Sequence, residues 1–209
     1  MKMITEKEFL CGKHDKEVKD LLVGGGIVIF PSENSYGFAA NALDAKVVKK
    51  IHDTKKEPYD KPIGLIIDKA EKIEWFSVMN KKSKKLLGAK LSGPLSVVYE
   101  VKKDKVSQTP FTCNGFVGAR IPLRESLVKM CSLVDFPLTA PSANIHGEPA
   151  IFDSKKIKEV FGKEDFLLID AGKLDETQKP STYYCTREDK ILRQGQVTLD
   201  EINRVLRKK

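Results

Sequence analysis

The chain is poor in the residues that mark metal and nucleophile chemistry. Its three histidines, His14, His52 and His146, fall in no recognisable triad. Its four cysteines, Cys11, Cys113, Cys131 and Cys185, form no CxxC and have no histidine at ligand spacing, so they read as reduced structural thiols and not as a metal site. Nothing in the sequence suggests a Cys/His or Ser/His nucleophile pair. No apolar run approaches the length of a membrane span. Residues 1–20 are charged and mixed, without the apolar stretch of a signal peptide. The expectation is a cytoplasmic protein with no membrane contact. Repeats, low-complexity stretches and long linkers are also missing.

What the chain has is length, apolar residues and positive charge. With 209 residues, 41% of them hydrophobic, it can bury the core of one sizeable domain. The 37 Lys+Arg outnumber the 29 Asp+Glu, giving a net charge of +8 that attracts phosphate-bearing partners at long range without distinguishing a nucleotide from a nucleic acid. Lysine runs at 81–85, 102–103, 155–156 and 208–209 read equally as solvated faces.

Hydrophobic spacing predicts helices over residues 14–23, 44–54, 81–90, 124–134 and 153–161. A final helix opens at Thr198, where Glu201 completes a capping box. Strands are predicted over 27–30, 63–67, 95–101, 115–121, 166–170, 181–185 and 190–193. Two strands follow one another between 95 and 121 with no helical pattern between them. The fold class is therefore α/β with α+β character, a twisted mixed sheet flanked by helices, and not a strictly parallel one.

Five strings carry the candidate chemistry. Residues 24–37, GGGIVIFPSENSYG, read as a buried strand stopped at Pro31 and a polar loop that offers a cavity the hydroxyls of Ser32 and Ser35, the Glu33 carboxylate and the Tyr36 ring. Thr54-Lys55-Lys56-Glu57-Pro58, with Lys61-Pro62 behind it, offers lysines that suit either a helix C-terminus or a phosphate. Arg120-Ile121-Pro122 closes a strand with a guanidinium that suits a carboxylate or a surface ion pair. Pro137 to Asn144, PLTAPSAN, is a rigid loop of small residues that a nucleotide could approach closely. Ser181-Thr182 and Arg193-Gln194-Gly195 lie on successive strands, either as an ordinary hairpin or as a phosphate wall.

Together, in this order and spacing, the strings resemble the YrdC/TsaC family of threonylcarbamoyl-AMP synthases, YciO-type relatives included. Residues 30–38 look like the family's FPTETVYGL string, and PSAN is intact at 141–144. Residues 120–122 resemble its RVP string, and Ser181-Thr182 with Arg193–Gly195 resemble its ST…RxG ending. The similarity runs from about Val18 to Ile202. It implies a single YrdC-like domain over 1–209, with a deep basic cavity and without the second C-terminal domain of longer members. The implied enzyme is a nucleotidyltransferase that makes threonylcarbamoyl-AMP and pyrophosphate from L-threonine, bicarbonate and ATP. Mg2+ accompanies the ATP, and there is no resident metal. The product serves a downstream complex that modifies an adenosine of tRNA.

The resemblance also distributes roles. Ser32, Tyr36 and Arg120 would hold threonine, with Arg120 on its carboxylate. Lys55, Lys56, Ser142, Asn144, Ser181 and Arg193 would hold ATP. Lys55 and Arg120 would act on the reacting groups. Two positions depart from the pattern. Glu57 stands where the family usually has arginine. A carboxylate about 4 Å from a phosphate charge costs roughly 4 kcal/mol at an effective dielectric of about 20. It is therefore expected to turn away or to act through Mg2+, with Lys56 or Lys61 restoring the charge. Ile66 stands where many relatives have histidine. Two other functions fit parts of the sequence. One is binding of tRNA or other RNA through the lysine runs. The other is a different carbamoyl or adenylyl transfer by a diverged relative.

Overall fold

The computed structural model describes residues 1–87, 89, 91, 94–108, 110, 112 and 114–208. Lys90, Cys113 and Lys209, named above, lie outside them. In chain order the elements are β1 (Lys2–Thr5), α1 (Glu6–Leu10), α2 (Asp15–Val23), β2 (Val28–Pro31), β3 (Tyr36–Ala39), α3 (Ala45–Lys55), β4 (Leu65–Ile66), α4 (Glu71–Glu74), β5 (Ser77–Val78) and α5 (Lys81–Leu87). There follow β6 (Leu95–Val101), a 3-10 turn (Lys103–Gln108), β7 (Phe116–Arg120), α6 (Glu125–Ser132), β8 (Leu138–Thr139), α7 (Ser154–Phe161), β9 (Leu167–Asp170), β10 (Thr182–Cys185), β11 (Lys190–Arg193) and α8 (Leu199–Arg207).

The mixed α/β class holds, and the strands divide into two sheets. One has the order β1-β9-β2-β3. The other has the order β11-β10-β6-β7-β4-β8, with β5 on the side of β6. Both mix parallel and antiparallel pairs: β2 is parallel to β9 and antiparallel to β3, and β7 is antiparallel to β6 and parallel to β4. Isolated bridges from Gly37 to Ser142 and from Asn41 to Leu138 join the sheets at the PLTAPSAN string.

The first sheet is covered on both faces, which explains the unbroken apolar run of 27–30. Successive side chains of a strand point to opposite faces. Val28 and Phe30 thus join one apolar cluster, with Phe9, Val18, Leu22 and Met130 from α1, α2 and α6. Ile29 joins the other, with Val47, Val48 and Ile51 from α3 and with Phe161. Asp44 caps α3, accepting from Lys46 N at 2.9 Å and Val47 N at 3.4 Å. The predicted Thr198–Glu201 capping box is present on α8. Cys131 and Cys185 are buried thiols and Cys11 is exposed.

Two expectations about the first loop change. Pro31 does not end the ladder. It is the last residue of β2 and pairs with Tyr36 across a hairpin, where its missing N–H is harmless at the turn. Gly37, the last residue of the string read as strand and loop, lies inside β3. A Cβ there would meet the Phe30 ring at 2.8 Å and Pro141 O at 3.1 Å, so only glycine lets the second sheet's loop come this near. The turn itself is tied by Ser32, whose Oγ donates to Ser35 O at 2.7 Å and accepts from the Ser35 N–H at 3.2 Å.

Candidate active site

A cavity of about 360 Å³ opens where the two sheets meet. Eight of the nine residues expected at the site line it: Ser32, Tyr36, Lys55, Arg120, Ser142, Asn144, Ser181 and Arg193. The ninth, Lys56, does not. It follows α3 with φ 51, and this left-handed cap turns its side chain out to solvent. Lys56 therefore neither contacts the cavity nor can replace Lys55.

Lys55 closes α3 and is 3% exposed. Its ammonium donates to Ser142 O at 2.6 Å and to Asn144 O at 3.0 Å, so the PSAN loop is wrapped around it. Burial drives its pKa down to about 8, against a smaller upward pull from Glu57. Asn144 donates its own amide to Ile145 O at 3.1 Å and Glu148 O at 2.7 Å, which fixes the loop. A nucleotide in this part of the cavity would meet a preformed wall.

Glu57 corrects the expectation that it turns away. It points inward, only 8% exposed, and its carboxylate is surrounded by positive or protonatable groups. Lys61 Nζ lies at 3.0 Å, His146 Nδ1 at 3.6 Å, Lys55 Nζ at 3.8 Å and His52 Nδ1 at 4.0 Å. Lys61, not Lys56, restores the charge, and it lines the cavity. Burial holds His52 below its usual pKa, with Glu57 opposing more weakly. Among the described residues no group of three or more His, Cys, Asp or Glu side chains is placed to hold a metal ion.

At the other end stands Arg120, 7% exposed, with Glu33 Oε2 at 2.9 Å from its Nη1. The contact is an ion pair without hydrogen-bond alignment. Glu33 Oε1 accepts from Leu123 N at 2.7 Å and Arg124 N at 3.1 Å, at the start of α6. Burial pushes the Glu33 carboxyl up, but Arg120 and the backbone N–H groups outweigh it and hold the pKa below the usual range. The loop read as offering a carboxylate to the cavity instead commits it to Arg120 and α6.

Tyr36 is wholly buried. Its hydroxyl donates to Gly172 O at 2.9 Å and accepts from Ala171 N at 3.1 Å, and burial lifts its pKa to about 12. The phenol already has both partners in the protein, so Tyr36 reaches the cavity as a wall. Arg193 donates through Nη2 to Ser181 O at 2.8 Å and Ser181 Oγ at 3.0 Å. Ile66 is fully buried among Phe30, Leu138 and Met130, and it does not line the cavity. Sequence reasoning missed Ser96, His146 and Tyr183 as lining residues. Ser96 and Tyr183 sit in apolar strand patterns, and only their register with each other marks them.

Three lysines of the 81–85 run find local partners. Lys82 pairs with Asp189 at 2.8 Å and Lys84 with Glu74 at 2.9 Å, while Lys85 donates to the Leu206 carbonyl of α8 at 3.1 Å. No helix among the described residues is long and apolar enough to cross a membrane.

Comparison with known proteins fits this geometry. The family profile Sua5_yciO_yrdC, described as "Telomere recombination", matches residues 20–195. A Methanocaldococcus jannaschii protein provisionally named threonylcarbamoyl-AMP synthase is 33% identical over 190 residues, covering 90% of this chain and 88% of its own. The Pyrococcus abyssi threonylcarbamoyl-AMP synthase is 31% identical over 192 residues, 87% of this chain but only 54% of its own. The crystal structure of P. abyssi Sua5 complexed with L-threonine superposes with a TM-score of 0.79 at 28% identity, over 99% of this chain and 60% of that one. The E. coli YciO crystal structure shares the fold, with a TM-score of 0.77 at 17% identity. The chain thus spans little more than half the length of the Pyrococcus relative. With its matched region covering most of its residues and its expected motif residues gathered on one cavity, the chain belongs to the Sua5/YciO/YrdC family.

Proposed function

We propose that the protein is a threonylcarbamoyl-AMP synthase. It converts L-threonine, bicarbonate and ATP into threonylcarbamoyl-AMP, pyrophosphate and water. The observation that carries this reading is the convergence of Lys55, Lys61, Arg120 and Arg193 on one cavity that is also lined by the small residues of the PSAN loop. Relatives matched over 87–90% of this chain carry that name, one of them provisionally, and the structural neighbour P. abyssi Sua5 was crystallised with L-threonine.

The chemistry asks for this kind of site. The threonine amine must be neutral to take up the one-carbon unit, and the resulting carbamate is short-lived in water. Its oxygen then attacks the α-phosphorus of ATP, the bond to the β-phosphate bridging oxygen breaks, and pyrophosphate leaves. No covalent enzyme intermediate is required. Alignment, fixed positive charge and exclusion of water supply the rate. Arg120 would grip the threonine carboxylate. Lys55 and Lys61 would meet the carbamate and phosphates, and Arg193 with Ser181 the phosphate side. The Ser142–Asn144 backbone would line the nucleoside. Mg2+ enters with the triphosphate, as such ions usually do. The product would pass to a complex that modifies tRNA in the cytoplasm.

The test is pyrophosphate release from ATP, Mg2+ and bicarbonate by the purified protein, with and without L-threonine. Threonine-dependent release is expected. Tight ATP binding with no threonine dependence would overturn the reading in favour of another carbamoyl or adenylyl transfer.

A further inference from the structure

We infer that Tyr183 is a positioning and specificity-determining residue of this site, setting Arg193 in place and limiting the room between it and Arg120. The inference rests on the proposed function for the identity of the substrates, but its geometry does not.

β10 and β11 pair Tyr183 with Arg193 and then Tyr184 with Ile191, so Leu192 has no partner and the register shifts at Tyr183. Such a bulge re-aims side chains. Leu192 is turned to solvent, 51% exposed, whereas Arg193, though it keeps exposed surface, lies over the Tyr183 ring at the cavity, its Cζ 4.4 Å from the ring centroid. The guanidinium is thus held twice, by Ser181 through hydrogen bonds and by Tyr183 through cation–π contact.

The ring then crosses bare backbone. A Cβ on Gly118 would lie 2.5 Å from Tyr183 Cε1, and one on Gly64 would lie 2.3 Å from its Oη. β4 and β7 run parallel with Leu65 opposite Ala119, so the two glycines are neighbours in register and together make the flat seat for the ring. Gly118 and Arg120 are two residues apart on one strand and share a face, about 7 Å apart along it. The ring therefore covers the floor between the two arginines. Its hydroxyl has no hydrogen-bond partner among the described residues. A smaller residue at 183 would deepen the cavity there and free Arg193.

The experiment compares Tyr183→Val, Tyr183→Phe, Gly64→Ala and the Gly64→Ala/Tyr183→Val double variant, each checked for folding by thermal melt. ATP binding is read by calorimetry without turnover. Tyr183→Val weakens ATP binding about tenfold through loss of the contact to Arg193, and Tyr183→Phe recovers most of that loss. An unchanged affinity in a folded Tyr183→Val protein overturns the positioning role, whatever reaction the enzyme performs. In the turnover assay Tyr183→Val raises the kcat/KM of bulkier amino acids relative to threonine by about tenfold. An unchanged ratio overturns the specificity role, while absence of threonine-dependent turnover in the unsubstituted protein overturns the proposed function alone. Gly64→Ala perturbs binding by pushing the ring, and in the double variant it adds no loss beyond that of Tyr183→Val alone. An added loss in the double variant would mean the ring does not rest on Gly64.

Discussion

Each end of the cavity sets a carboxylate against a buried cation, yet the two are built differently. Glu33 is matched one to one with Arg120 and is anchored by two backbone N–H groups that lead into α6. Its partner is a guanidinium, which keeps its proton under all ordinary conditions. Glu57 is instead shared by two lysines and two histidines within 4.0 Å, and one of those lysines has its pKa lowered to about 8. The first end has fixed charge and fixed geometry, which suits gripping one carboxylate. The second has surplus positive charge that can change with pH, which suits phosphates and a carbamate. The same elements, a carboxylate beside a cation, thus give a clamp or a tunable anion site according to stoichiometry and anchoring.

The largest effect should come from removing the clamp. Arg120→Ala is expected to lower kcat/KM for threonine about a thousandfold, in the range lost when one charge-stabilising donor leaves a closed site. ATP affinity, which we propose rests on Lys55, Lys61 and Arg193, should change less than twofold. Pyrophosphate release and calorimetry on the same preparation separate the two. An equal loss of ATP binding would show that the ends do not act independently.

Glu33→Gln should have a smaller effect, because glutamine can still accept from Leu123 N and Arg124 N but no longer fixes the Arg120 charge. The expected result is a rise in KM for threonine of about tenfold with kcat nearly kept, since the orientation of the grip is loosened and the reacting groups are untouched. A fall in kcat with unchanged KM would place Glu33 in the chemistry and break the description of this end as a clamp.

These contrasts were only partly legible in the sequence. Strands 95–101 and 190–193 were predicted with the bounds the structure shows, and the boundaries of α3 and α7 and the start of α8 come within two residues. The apolar periodicity of those segments follows directly from burial. β1 was missed because Lys2–Thr5 is short and mostly exposed, and β8 because two residues inside a proline-rich string leave no period to read. β3 was read as loop since it is four residues long and buried throughout, leaving no period to read beside a polar turn, and its Gly37 answers to the close approach of its hairpin partner Phe30 and of the distant Pro141. Within the site, the strings named the residues well, because motif order survives without coordinates. Which way each side chain points does not. Lys56 faces out and Glu57 in because of one left-handed residue at the end of α3, a conformation lysine adopts too seldom for sequence to signal. Tyr183 was missed for a similar reason, as its role arises from a bulge and from glycines on two other strands.

The smallest effect, and the sharpest on the comparison, concerns pH. With a pKa of about 8, Lys55 is about nine-tenths protonated at pH 7 and about one-tenth at pH 9, so ATP affinity should fall by up to about tenfold across that range. Glu57 supports the charged form of Lys55, so Glu57→Gln lowers the Lys55 pKa further and the decline should begin at lower pH. The same substitution also takes a negative charge away from the triphosphate, so affinity at pH 7 should rise a few-fold. The two titration curves are therefore expected to cross, with the variant tighter at neutral pH and weaker in alkali. ATP titrations by calorimetry from pH 6.5 to 9.5, without threonine so that its amine does not intrude, would show the crossing. Parallel curves would mean that Glu57 acts on the nucleotide directly and not through Lys55. The same titration on Arg120→Ala should keep the unsubstituted midpoint, because the clamp at that end has no group that changes charge in this window.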